Sequence, residues 1–225
     1  LDVIANNRIY YPKPDSFNDP FDTKCYFKNS SALVQSQDTE KIKIAFPGDS
    51  PTKMMAYTKQ DLTKEIDSFK NKLKDFGILS LAEDEKDILM WSHYADDHKG
   101  VCIEFERTES NELGDPKVTR KVAYTKNYPS MSVKSLLSED SYHNSLMRVL
   151  YTKSEQWSYE KEWRNFQSTG GEVYPIPGRV LSITFGVRST KIDIDIVKKL
   201  VGPSIPLYQA HLKENEFGIK VKKIT

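Results

Sequence analysis

The clearest hydrophobic pattern in the chain predicts an amphipathic helix over residues 61–76. Its apolar positions recur every three or four residues, with lysine and aspartate on the opposite face. Those apolar positions are Leu62, Ile66, Phe69, Leu73 and Phe76. Weaker helical patterns predict further helices over residues 1–7, 87–95, 141–151 and 192–200.

Shorter alternating or continuous apolar runs predict strands between these helices. The predicted strands cover residues 8–11, 78–82, 101–106, 118–124, 160–167, 180–185, 205–212 and 218–224. The polar stretch 28–58 is predicted to be a mobile surface loop. Because no repeat or linker divides the chain, residues 1–225 are predicted to form a single α+β domain. We expect a mixed, mostly antiparallel sheet with flanking helices.

Composition narrows the class of protein. The 225 residues carry a net charge of +1, with 38% hydrophobic and 29% charged residues. This balance argues against binding of nucleic acid through bulk charge alone and leaves a local basic patch open. Cys25 and Cys102 lack a CxxC pattern and are predicted to be free thiols. No run is long enough for a membrane span, so we expect a cytoplasmic protein without membrane contact.

The first unusual cluster is Ser16–Asp22, a loop that contains a proline. It combines two aromatic residues with two carboxylates and an amide. One interpretation is an Asx-turn, in which Asn18 or Asp19 bonds the backbone while Phe17 and Phe21 anchor the loop to the core. The other is a rigid polar loop that lines a pocket.

The second cluster is Met90–Gly100, which combines aromatic residues with two histidines. On a helix, Trp91 and Tyr94 share a face, and they are either core aromatics or a stacking platform for a nucleobase or nicotinamide. His93 and His98 lack a complete set of metal ligands beside them, so no metal site is predicted.

The third cluster is Lys153–Arg164. If residues 160–167 form a strand, Glu160, Glu162 and Arg164 point to one face and Lys161 to the other. These three charges form either a solvated ladder or the polar side of a cleft, in which Glu162 and Arg164 stabilise each other. Trp157 begins the segment that leads into this strand, and it is predicted to be mainly structural, with its ring docking that segment on the core.

Together these clusters resemble a bacterial family called domain of unknown function 2971. The resemblance rests on SFNDPFD (Ser16–Asp22), ILMWSHYADDHKGVCIEF (Ile88–Phe105) and TKSEQWSYEKEWR (Thr152–Arg164), followed by a strand that ends in Phe185-Gly186. Members of that family usually begin with a strand that carries a Lys-Tyr-Arg-like motif. The resemblance therefore implies a native N-terminal strand before Leu1.

The layout is also loosely similar to ADP-ribosyltransferases, some of which are toxins. That similarity implies NAD as substrate, with Glu162 stabilising the oxocarbenium-like state. It implies that Arg164, or an arginine in the expected segment before Leu1, holds the pyrophosphate and that Trp91 or Tyr94 stacks on the nicotinamide. On this hypothesis, Glu162→Gln slows NAD turnover and leaves folding almost unchanged. The implied ligand-binding residues are Asn18, Asp19, Trp91, His93, His98 and Glu160. A toxin or phage-defence effector would transfer ADP-ribose to a nucleic-acid or protein acceptor.

Two other functions stay open. A non-catalytic sensor would use the same pocket to bind a nucleotide or nucleic acid. A metal-dependent nuclease would hold Mg²⁺ through carboxylates and stabilise phosphate charge through a lysine. The nuclease candidates are Asp19, Asp22, Glu160, Glu162, Lys153 and Lys161. All three hypotheses predict that the clusters around Asn18, Tyr94 and Glu162 meet at one cleft.

Overall fold

The computed structural model describes residues 2–28, 42–46 and 53–224. Its described helices are α1 (Asp2–Asn6), α2 (Lys59–Asp75), α3 (Ile88–Tyr94), α4 (Glu139–Leu150) and α5 (Lys191–Val201). Its described strands are β1 (Arg8–Tyr11), β2 (Tyr26–Lys28), β3 (Ile42–Phe46), β4 (Lys53–Tyr57), β5 (Gly77–Ala82), β6 (Val101–Phe105), β7 (Thr119–Lys121), β8 (Ala123–Thr125), β9 (Ser130–Ser132), β10 (Thr152–Ser154), β11 (Glu162–Gln167), β12 (Glu172–Pro175), β13 (Val180–Phe185), β14 (Leu207–Leu212) and β15 (Ile219–Lys223).

The predicted α+β class is confirmed. The strands form several small sheets, and most of their pairings are antiparallel. Contacts divide the chain into two compact units. The first unit comprises Leu1–Pro12, Gly77–Val122 and Gln156–Thr225, and the second comprises Lys13–Phe76 and Ala123–Glu155.

Two sheets organise the first unit. In one, β11 lies between β5 and β7, and both pairings are antiparallel. In the other, the order is β15-β14-β13-β6, with β13 and β14 parallel. The central position of β11 explains its burial, because both of its edges are covered by neighbouring strands.

Apolar side chains pack the larger sheet on both of its faces. One core cluster joins β13 to α5 and β14, and its fully or nearly buried members are Ile183, Phe185, Val197 and Leu207. A second cluster packs α3 against β14 and β15 through Trp91, Ala95, Ala210 and Ile219. Helix α3 is therefore held at a defined position on the sheet by its own apolar side.

The second unit is built around α2. This helix begins with a capping box, in which Thr58 and Asp61 bond each other's backbone, and it buries Leu62, Phe69 and Leu73 as its pattern predicts. The ring of Phe69 meets Tyr142 of α4 edge-on, with centroids 5.4 Å apart. Edge-on aromatic pairs of this kind add to the stabilisation from buried area.

Some sequence-based boundaries are wrong. Much of the stretch 28–58 lies outside the described residues, but Ile42–Phe46 and Lys53–Tyr57 are strands where an irregular loop was predicted. The single strand predicted over 118–124 is two short strands, which belong to different units. The helix over 61–76 ends at Asp75, so Gly77 is the first residue of a strand instead of a cap.

Candidate functional site

The third cluster holds a buried ion pair. On β11, Arg164 donates from Nε to Glu162 Oε1 at 2.7 Å and from Nη2 to Oε2 at 3.3 Å. The hydroxyl of Ser80, on the neighbouring strand, donates to the same Oε1 at 2.6 Å. Glu162 is 2% exposed and Arg164 is 0% exposed, so both side chains are buried, and their place on the wall of a cleft stays a prediction.

This burial changes the role that we assign to both residues. Both charged groups are nearly inaccessible and are satisfied by internal partners, and their predicted catalytic contacts with a substrate stay a prediction. Two buried charges are tolerated when they pair with good geometry and further hydrogen bonds. The bidentate pair therefore acts as an internal support for the central strand.

Glu160 does not lie on that strand, contrary to the sequence-based prediction. It ends a 3-10 turn over Glu155–Glu160, and the next residue, Lys161, has φ of 46°. This left-handed residue breaks the two-residue alternation on which the shared face of the three charges depended. Glu160 is 4% exposed and accepts a hydrogen bond from the Tyr94 hydroxyl at 2.6 Å.

That hydrogen bond joins the second and third clusters. Tyr94 lies at the end of α3, and its side chain is 49% exposed although its hydroxyl reaches a buried carboxylate. The two residues are 66 positions apart in the sequence. The predicted meeting of these two clusters is therefore confirmed, whereas Asn18 belongs to the other unit and its place in a common cleft stays a prediction.

Four rings adjoin this bond and form what we call the ring cluster: Trp157, Tyr159, His93 and Tyr94. Neighbouring centroids along this series are 6.0, 6.4 and 6.2 Å apart, and neighbouring planes are tilted by 40, 42 and 67°. Because the rings are not coplanar, a flat ligand can stack on one ring and meet the edges of others. Trp157 is half-buried, and its predicted role of docking this segment on the core stays a prediction.

Trp91 has the structural role that was one of its two predicted alternatives. It is 3% exposed, packs in the core, and donates from its indole nitrogen to the Glu85 carbonyl at 2.6 Å. A ring in that position is not accessible to a stacking ligand. Within the second cluster, Tyr94 and His93 are the exposed rings.

His98 lies in a strained loop after α3. Asp96, Asp97 and His98 have φ of 45, 53 and 69°, and left-handed conformations are costly for residues other than glycine. The loop is held in place by neighbouring backbone, since the Arg188 amide donates to the His98 carbonyl at 2.9 Å. The imidazole Nε2 lies 3.0 Å from Ser92 Oγ, which orients the ring towards α3. Backbone strain of this kind persists only where surrounding contacts enforce it.

The first cluster forms the predicted Asx-turn. The Phe21 amide donates to Asp19 Oδ1 at 2.9 Å, and the Asp22 amide donates to the Asp19 carbonyl at 3.2 Å. Asp19 is 7% exposed, whereas Asn18 is exposed. Phe21 is 64% exposed, so it does not anchor the loop to the core as predicted.

Sequence reasoning missed a group of residues around a cavity in the first unit. The cavity has a volume of about 510 Å³ and includes carboxylates that directly follow β5, together with side chains of β6 and β11. Its polar members include Glu83, Glu85, Glu104 and Arg107, and Trp163 forms part of its wall. The sequence signal that could have pointed to this cavity is the acidic run Glu83-Asp84-Glu85, which directly follows a strand.

Among the residues that the structure describes, no group of three or more His, Cys, Asp or Glu side chains is placed to hold a metal ion, so the nuclease hypothesis gains no support. No described helix combines the length and hydrophobicity that crossing a membrane requires. Cys25 and Cys102 are both free, as predicted.

The geometry thus defines an α+β protein in which an exposed ring cluster is joined to a buried carboxylate. Residues 90–165, about a third of the chain, match the model of a family described as protein of unknown function (DUF2971). This stretch contains the whole of the second and third clusters, and the match confirms the family resemblance that those motifs carry. No curated protein and no solved structure matches the chain.

Proposed function

We propose that the ring cluster binds the flat ring of a nucleotide-like ligand and that the protein is a nucleotide-binding module. The observation that carries this proposal is the series of four neighbouring rings, two of which are exposed to solvent. Stacking on aromatic side chains suits nucleobases and nicotinamide, because each presents a flat π-face.

The hydrogen bond from Tyr94 to Glu160 supports this role. It fixes an exposed ring through its hydroxyl, while the buried carboxylate cannot rotate into solvent. A side chain that is already held in place loses little conformational freedom when a ligand binds. The ring of Tyr94 is thus prepared as a contact surface.

An NAD-consuming, ADP-ribosyltransferase-like activity is the second candidate. One observation favours it, namely that the Glu160 carboxylate lies 2.6 Å from the Tyr94 hydroxyl at the edge of the ring cluster. In such a reaction, the bond between ribose C1′ and nicotinamide breaks, and nicotinamide leaves with the electron pair. The acceptor nucleophile then bonds to C1′ and loses its proton, while a carboxylate stabilises the oxocarbenium-like state. A nucleic-acid or protein acceptor, a toxin or antiviral-defence role and a cytoplasmic location stay predictions.

A titration of the wild-type protein with NAD, nicotinamide and adenosine tests the main proposal. Calorimetry and thermal unfolding both apply, because a ligand that binds only the folded state raises its stability. Tyr94→Ala removes the exposed ring, and Tyr128→Ala is its matched control, since Tyr128 is 45% exposed and belongs to the second unit. Loss of one stacked ring should weaken binding by about tenfold or more, as about 1–3 kcal/mol per stacked base implies.

The result that supports the proposal is weaker binding in Tyr94→Ala and unchanged binding in Tyr128→Ala. Equal affinities of the two variants, or no binding of any of the three ligands to the wild type, would overturn it. Mass spectrometry of the NAD samples decides the second candidate, because an enzyme releases nicotinamide and a binding module leaves NAD intact.

A further inference from the structure

The cavity of about 510 Å³ in the first unit has the size and mixed lining of a small-molecule site. It lies where side chains of the β5-β11-β7 sheet approach those of β6 and β13. Its apolar walls come from Leu81, Ile103, Phe105, Leu113 and Trp163. Its acidic groups are Glu83, Asp84, Glu85 and Glu104.

Two of the four carboxylates are neutralised by lysines. Glu83 lies 2.9 Å from Lys121 Nζ and also accepts a hydrogen bond from the Trp163 indole at 2.6 Å. Asp84 lies 3.3 Å from Lys161 Nζ. The partners of Glu83 hold the pKa of its carboxyl below the usual range, chiefly through the hydrogen bond from Lys121. The charges of Glu83 and Asp84 are therefore balanced by lysines of the protein itself.

The other two carboxylates have hydroxyl donors instead. Glu104 accepts from Ser182 Oγ at 2.6 Å, and Glu85 accepts from Thr184 Oγ1 at 3.3 Å. Among the ion pairs of the described residues, neither is matched with a lysine or arginine. Burial raises the pKa of the Cys102 thiol, and the nearby charges of Glu85 and Glu104 raise it as well, so that together they bring it to about 11. Both carboxylates therefore act on the same part of the cavity wall.

The Trp163 ring in the cavity wall is already in contact with one flat cation of the protein, the guanidinium group of Arg107. The guanidinium carbon of Arg107 lies 4.4 Å from the Trp163 ring centroid, and Arg107 Nε donates to the Leu113 carbonyl at 2.8 Å. Tryptophan is the best aromatic partner for a cation. The cavity thus combines an indole, apolar walls and two carboxylates that have only neutral donors.

We propose that this cavity binds a small flat organic cation, of the amidinium or guanidinium class, with its charged end between Glu85 and Glu104. The apolar walls would contact the body of the ligand, and each carboxylate would accept a charge-assisted hydrogen bond. This site is separate from the ring cluster, so neither proposal depends on the other.

Benzamidine is the test probe, and benzamide is its neutral counterpart of nearly the same shape. Titration calorimetry with the full chain should show binding of benzamidine at least tenfold tighter than binding of benzamide. Glu85→Gln and Glu104→Gln keep the side-chain shape and remove one charge each. Each should weaken benzamidine binding by only about three- to tenfold, because both carboxylates are exposed to solvent, which screens their charge.

Two controls define the outcome. Glu109→Gln removes an exposed carboxylate outside the cavity lining and should leave the affinity unchanged. Tyr94→Ala should also leave it unchanged, since that ring belongs to the other site. Equal binding of benzamide and benzamidine, no measurable benzamidine binding, or a loss in Tyr94→Ala instead of the cavity variants would each overturn the proposal.

Discussion

The buried ion pair and the ring cluster share the segment Trp157–Arg164, but they have opposite relations to solvent. Glu162 and Arg164 are removed from solvent and satisfy each other's charge. Tyr94 keeps half of its surface exposed and uses only its hydroxyl to hold a fixed position. Charged residues in a distinctive motif can therefore serve folding, while the aromatic residues beside them remain available to a ligand.

The difference also explains why the two sets belong together. Strand β11 carries the ion pair, and the turn immediately before it carries Glu160, which bonds Tyr94. Because β11 starts just after this turn, a rigid central strand fixes the position at which the turn ends. Sites built on rigid elements are more precise than sites on loops alone. We interpret the ion pair as a support for the position of the ring cluster.

The largest effect that we expect is from breaking the ion pair at one partner. Arg164→Ala leaves the Glu162 carboxylate buried without its bidentate cation and should cost about 3–5 kcal/mol of unfolding free energy. Urea denaturation measures this loss. Arg179→Ala is the matched control, because it removes an arginine from the exposed pair with Glu106 at 3.0 Å and should change stability little. Similar losses in both variants would contradict the distinction between the buried and exposed pairs.

A second prediction compares two tryptophans near the ring cluster. Trp91 is 3% exposed in the core, so Trp91→Ala should cost about 3–5 kcal/mol. Trp157 is half-buried and should cost distinctly less, although its ring belongs to the ring cluster. Chemical denaturation of both variants gives the two values. A larger loss for Trp157→Ala would show that the structural role was assigned to the wrong ring.

The smallest effect that we expect is a change in the reactivity of a cysteine in the cavity wall. The cavity contrasts with the ion pair, because two carboxylates of the cavity, Glu85 and Glu104, are not neutralised by a cation among the residues that the structure describes. Burial raises the pKa of Cys102 to about 11, with contributions from Glu85 and Glu104. A nearby negative charge disfavours the thiolate, so Glu104→Gln should lower this pKa and speed alkylation by iodoacetamide at about pH 9. Cys25, in the second unit, is the internal control and should react at an unchanged rate. Equal Cys102 rates in both proteins would mean that Glu104 does not act on the thiol.

Much of the fold follows from local patterns in the sequence. The spacing of Leu62, Phe69 and Leu73 predicts α2 because that face is buried. The alternation after Gly100 predicts β6, whose apolar side chains are half-buried. The strands Ile42–Phe46 and Lys53–Tyr57 were missed because the prediction for residues 28–58 rested on the polar composition of the whole stretch, although Ile42, Ile44 and Phe46 alternate as in a strand. They pair with each other, and pairing depends on contacts that one segment does not reveal.

The candidate site was only partly predictable. The motifs singled out Tyr94 and Glu160, which the structure joins by a hydrogen bond, and their role in a binding site stays a prediction. The predicted shared face of Glu160 and Glu162 was wrong because Lys161 is left-handed. Burial of Glu162 and Arg164 depends on strands that cover β11 from both sides, which is tertiary information. The cavity carboxylates Glu85 and Glu104 look like ordinary solvent-facing residues in the sequence, since their convergence requires separate elements to meet.

The central claim is that the ion pair serves folding and the ring cluster serves binding. The direct test measures both unfolding free energy and NAD affinity for Glu162→Gln and Tyr94→Ala. We predict that Glu162→Gln loses about 2 kcal/mol or more of stability because a buried charge loses its counter-charge. It should keep its NAD affinity while folded. Tyr94→Ala should show weaker binding, and its loss of stability should be the smaller of the two. The opposite pattern, with Glu162→Gln fully stable but unable to bind or consume NAD, would contradict the account.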